Sequence, residues 1–172
     1  MTTKIHSSNT LLSGAFVFFM TVFLSACRPD NSAIPTISCD DVVSETTWTD
    51  RGDGIDYVVN CVIAVNAKLS IEPGVTIQFG PGAGIVIETS GSLSAVGTAS
   101  NPIVLKSEND VTGVWKGLYF KSNNVLNELN YCTVSNAGAS SFDGNITKLA
   151  NIRVALSAKL KLYPAITLSQ LV

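Results

Sequence analysis

The sequence predicts an all-β chain wound as a solenoid, and three observations carry that prediction. Between residues 57 and 138, apolar residues alternate with polar ones in short runs, each closed by Gly, Pro or Asn. The runs recur: Leu69 and Leu93 open matching Leu-Ser segments 24 residues apart, and Phe79 and Leu105 correspond at an offset of 26. A period of that size, with about three strands per unit, suits coils that bury their inner faces only by stacking on one another. No 3.6-residue apolar stripe persists through the region, so helix fits it poorly.

The chain opens on a segment outside this pattern. Lys4 and His6 precede an apolar stretch from Leu11 to Leu24, and small residues follow, which is the layout of a secretory signal peptide. The stretch is shorter than the ~20 residues a transmembrane helix needs. At its end, Leu24-Ser25-Ala26-Cys27 resembles the bacterial lipobox. That resemblance implies cleavage after Ala26 and lipid attachment at Cys27; the ordinary alternative leaves Cys27 free or bridged. One acyl chain holds a protein to a bilayer only marginally, and the resemblance implies two or three. Arg28 stands where an aspartate would signal inner-membrane retention, so an exported, outer-membrane address in the bacterial cell envelope is expected. The expected organisation is a signal peptide (1–26), a lipidated N-terminus and tether (27–38), and a β domain (39–172).

Charge narrows the function classes. The whole chain has a net charge of −2, with no basic footprint for nucleic acid. Removing residues 1–26 leaves 10 Lys+Arg against 13 Asp+Glu and takes away His6, the only histidine. A mature chain without histidine lacks the commonest general base and most zinc-site chemistry.

The tether "RPDNSAIPTI" has no periodicity. Beyond it, Cys39 and Cys61 bracket 21 residues. In an oxidising compartment they are expected to form a disulfide worth roughly 3 kcal/mol. Between them, "DRGDGID" offers Asp50, Asp53 and Asp56 as calcium carboxylates or Arg51-Gly52-Asp53 as an adhesion tripeptide. The spacing is not that of an EF-hand, and a turn rich in Asp and Gly is the plainer reading.

The strand core follows. Val75, Ile77 and Phe79 alternate with Thr76 and Gln78; Ile85 with Ile87, Leu93, Ile103 with Leu105, Leu118 with Phe120, and Cys132 with Val134 continue the pattern. Cys132 is expected inside, as an unreactive free thiol. The pieces Glu72-Pro73-Gly74, Gly91 with Gly97, Asn101-Pro102-Ile103, and Trp115 with Gly117 resemble the right-handed parallel β-helix repeat proteins of bacterial cell surfaces, over residues 44 to 138. The resemblance implies a short right-handed parallel β-helix of about four coils. Its motifs are structural and carry little chemistry.

Some parallel β-helices cleave polysaccharides with clustered carboxylates. Here Glu72, Glu88, Glu108, Asp110 and Glu128 are scattered. No catalytic residue, metal ligand or cofactor is therefore assigned. Trp115 and Tyr119 are candidate ligand-stacking aromatics, against the plainer reading that Trp115 packs at a coil corner. The expected role is a lipid-anchored scaffold or binding module for a glycan or a cell-surface protein; the alternative is an incomplete carbohydrate-active enzyme.

The tail, "NIRVALSAKLKLYPAITL", alternates again. Ile152, Val154 and Leu156 oppose Arg153 and Ala155, and Leu160 and Leu162 oppose Lys159 and Lys161. Strand is expected there, with a helix through Leu149, Ile152, Leu156 and Leu160 as its rival. Either the tail caps the last coil or that coil is left bare; alternation almost to the terminus favours a bare edge that recruits other chains.

Overall fold

The computed structural model describes residues 33–52, 54–143 and 150–169. Cys27 and the expected signal peptide lie outside the described residues, as do Asp53 and Leu149. The described residues from Ala33 onward form one unit of parallel strands.

Among the described residues, fourteen strands run β1 (Thr46–Trp48), β2 (Tyr57–Val59), β3 (Val62–Val65), β4 (Lys68–Ile71), β5 (Thr76–Phe79), β6 (Gly84–Ile87), β7 (Ser92–Val96), β8 (Ile103–Ser107), β9 (Leu118–Phe120), β10 (Glu128–Asn130), β11 (Cys132–Ser135), β12 (Ile152–Val154), β13 (Lys161–Leu162) and β14 (Ile166–Ser169). Every third strand pairs in parallel, giving three sheets: β1-β4-β7-β10-β13 (sheet C), β2-β5-β8-β11-β14 (sheet A) and β3-β6-β9-β12 (sheet B). This is a parallel β-helix of four complete coils and the start of a fifth, and the tail is strand rather than helix.

Period-two alternation puts one side chain in two inside, and parallel pairing stacks like on like. Ile63, Ile85, Leu118 and Ile152 form one inward column; Val65, Ile87, Phe120 and Val154 form the next. On sheet A, Tyr57, Ile77, Leu105, Val134 and Leu168 align. Val75, Ile77, Phe79, Ile85, Ile87, Leu93, Ile103, Leu105, Leu118, Phe120 and Val134 are all buried, as the alternation predicts. Fully burying such a side chain is worth about 1.5–3 kcal/mol.

Polar groups close the corners. Asn127 replaces an apolar residue in the column of Leu93: its Oδ1 accepts from Leu93 N at 3.0 Å, and its Nδ2 donates to Ser122 O and Lys159 O. Asp56 is buried and stitches coil to coil, its carboxylate accepting from Arg51 N at 2.6 Å and Thr76 N at 2.7 Å. A Cβ on Gly91 would lie 1.9 Å from the Val65 carbonyl oxygen, so only glycine lets the chain turn there against the coil before.

The first coil is covered by residues 33–45. Thr36 bridges Val58 on sheet A, Val42 bridges Val65 on sheet B, and Cys39 is bonded to Cys61 between them. Thr36, expected in the tether, is thus paired to the fold.

Two expectations need correction. The 26-residue match of Phe79 with Leu105 is out of register: Ile77 pairs with Leu105, and Phe79 with Ser107. The cause is a turn from Ala95 to Val104 that is four residues longer than its partner from Ile71 to Thr76. In the tail, Leu156 lies in a turn beyond β12 and is fully exposed instead of continuing the inward row. Val154 and Leu162 hold inward columns, yet each is about half exposed because no described coil lies above them.

Candidate functional site

Connections from sheet A to sheet B lengthen along the solenoid: two residues after β2, four after β5, ten after β8 and sixteen after β11. Those at the other two corners have eight residues or fewer. In repeat folds, loops that grow on one corner mark the face most able to carry binding.

The two long connections run side by side. Trp115 bridges Ala137, Gly113 N donates to Asn136 O at 3.1 Å, and Ala139 N donates to Trp115 O at 2.9 Å. The second connection then brings Phe142 over the outer face of sheet B. Outward side chains there align as Ala64, Val86, Tyr119 and Arg153. The Phe142 ring stacks on Tyr119 with centroids 5.6 Å apart. It occupies the place a side chain at Gly84 would take, since a Cβ there would lie 2.8 Å from the ring.

Charge gathers around these two rings. The Arg153 guanidinium lies 4.3 Å from the Tyr119 centroid, and Lys121 Nζ lies 5.6 Å from it. Each such contact is worth about 0.5–2 kcal/mol, depending on desolvation. Arg153 also pairs with Asp143, a hydrogen bond that pushes the guanidinium above its usual pKa and keeps it charged. Lys121 pairs with Glu88 at 2.8 Å. Lys116 donates to Ser141 O and lies 5.7 Å from the Phe142 ring. Both carboxylates thus neutralise cations, and Lys116 supplies a surplus positive charge. An aromatic pair ringed by donors is suited to hold a ligand by stacking and hydrogen bonding.

The residues proposed from sequence divide. Trp115 is no surface platform: it is fully buried, stacked on Phe79 at 4.0 Å, with Nε1 donating to Ser135 O at 2.9 Å. Its strand-like turn points the indole into the solenoid, where only a buried partner satisfies the N–H. Tyr119 does face outward, but its ring contacts are with Phe142, Arg153 and Lys121. Cys39 and Cys61 form the expected disulfide, and Cys132 is buried with its thiol pKa pushed up to about 11 by burial. Asp50 and Asp56 line a shallow groove of about 390 Å³ at the corner between sheets C and A, where Asp56 is already committed to backbone N–H groups. Phe142 and Asp143 carried no sequence signal as site residues, because "ASSFDGN" reads only as loop.

The chain matches the family described as a pectate-lyase-like β-helix domain over residues 43–151. A stretch of 44 residues is 54% identical to part of the Drosophila melanogaster protein named Protein bark beetle, covering 26% of this chain and 1% of that protein. The chain therefore spans a very small part of that relative's length. No solved structure matches the chain significantly.

Proposed function

The chain belongs to the family of pectate-lyase-like β-helix domains, and from that premise we propose that it is a non-catalytic, lipid-anchored protein of the cell envelope. Its solenoid serves as a surface scaffold and binding module for a glycan or a cell-surface protein. The supporting observation is the outer face of sheet B, where the two longest connections gather Tyr119, Phe142, Lys116, Lys121 and Arg153. Stacking of a sugar or side chain on such an aromatic pair contributes about 0.5–1.5 kcal/mol per contact. Replacing Tyr119 and Phe142 together by alanine should weaken binding to the best ligand of a glycan or surface-protein screen about tenfold. Unchanged affinity in the double variant would remove this face from the proposal.

The anchor has its own test. Cys27→Ser should release the protein from the outer-membrane fraction and block processing of the leader. Membrane association that survives the substitution would exclude lipid at Cys27 as its cause.

The second reading, a polysaccharide lyase or hydrolase, draws support from the family's description. Depolymerisation of an acidic or neutral polysaccharide, lost on replacing one carboxylate, would favour it over the binding module. Binding without turnover would favour the module.

A further inference from the structure

The two ends of the solenoid carry opposite charge. Among the described residues, Asp40, Asp41 and Asp50 stand exposed at the head, where Glu45 pairs with Lys68; Lys159 and Lys161 stand exposed at the tail, where Arg153 pairs with Asp143. Asp40, Asp41 and Glu45 are exposed beside β1, the outermost strand of sheet C at the head. A groove of about 440 Å³ opens there, with Asp40 and Asp41 beside apolar Ile37, Val42 and Trp48. Lys159 and Lys161 are exposed at the opposite end of the same sheet, at β13. Leu162 and Leu168, half exposed, end columns in which Leu129 and Val134 one coil earlier are completely buried. Among the described residues, the tail thus offers half-exposed apolar columns beside Lys159 and Lys161, and the head offers Asp40 and Asp41 beside an apolar groove.

We propose that a second copy of this chain docks head to tail, its basic tail against the acidic head of the first. Two features favour this arrangement over a twofold pair. Every strand pairing is parallel, so a copy stacked along the axis in the same sense presents strands of matching direction. A tail-to-tail pair would reverse strand direction and set Lys159 and Lys161 against themselves; a head-to-head pair would do the same with Asp40 and Asp41. Like charges so placed oppose association, and opposite charges steer it. Head-to-tail contact is heterologous and leaves a free head and a free tail, so assembly is open-ended and follows the solenoid axis.

The test uses the exported full chain, purified in non-ionic detergent at constant concentration, and sedimentation over a wide range of protein concentration. The expected result is a mass that grows beyond a dimer with concentration and falls as salt rises from about 0.01 M to about 1 M, where the screening length shrinks from ~30 to ~3 Å. Two charge-reversed variants, Asp40→Lys with Asp41→Lys and Lys159→Glu with Lys161→Glu, should each sediment as monomers. Mixed together they should co-assemble into alternating chains that again grow with concentration, because the reversed basic head meets the reversed acidic tail and the unaltered basic tail meets the unaltered acidic head. That rescue separates loss of contact from loss of fold. A wild-type chain monomeric throughout, a closed dimer that does not grow, or association indifferent to both reversals would overturn the proposal.

Discussion

The middle coils and the last coil contain the same kind of strand, yet they end in different environments. Ile85, Ile87, Leu118 and Phe120 alternate with polar or outward residues and are fully buried. Val154 follows Phe120 in its column, and Leu162 and Leu168 follow the buried Leu129 and Val134 in theirs, yet all three are about half exposed. In a solenoid, a strand's alternation decides which side chains face the axis. Burial also requires a coil on both sides, and that depends on position along the array.

The sharpest way to break this comparison is a matched pair of truncations. Ile85→Ala should cost about 2–5 kcal/mol, because the buried cavity collapses only partly. Leu162→Ala should cost less than about 1 kcal/mol, since half of its surface already meets solvent. Both are read from denaturant midpoints at constant slope. Equal costs would show that the tail is covered after all.

The head contrasts with the tail, because residues 33–45 lie over its first coil and are held by two isolated bridges and the Cys39–Cys61 bond. Replacing both cysteines by serine should lower stability by roughly 3 kcal/mol. It should also speed amide exchange at Val58 and Val42, whose N–H groups make the bridging hydrogen bonds. Exchange there at the wild-type rate would mean that the backbone contacts alone hold the segment.

Cys132 gives a subtler probe, from inside sheet A. Burial raises its thiol pKa from 9.0 to about 11, so the folded state favours the neutral form. The unfolded chain ionises first. This contribution is therefore fully present below pH 9.0 and is lost as pH rises towards about 11, by roughly 3 kcal/mol. Unfolding measured across that window should show the loss in the wild type and not in Cys132→Ala. A decline that persists in the variant would assign it to other groups.

Much of the fold is legible in the sequence. Alternation names the inward residues from Val75 to Val134, the spacing of Leu69 and Leu93 shows the repeat, and the pair Cys39 and Cys61 points to the disulfide. These are local signals, set by the period of a strand and the pairing chemistry of thiols. The packing of Trp115 was the plainer reading of the sequence, but register between Phe79 and Ser107 and the roles of Asp56 and Asn127 in joining coils were not legible. Each depends on how many residues a turn inserts before the chain meets its neighbour, and no single strand encodes that number. Phe142 meets Tyr119 across more than twenty residues of chain, and that meeting exists only once sheet B is assembled. The sequence by itself determined the solenoid and its inward residues, because side-chain alternation is local; only the tertiary structure decided which aromatics face outward and which inward side chains are fully covered, because both depend on what stacks against them.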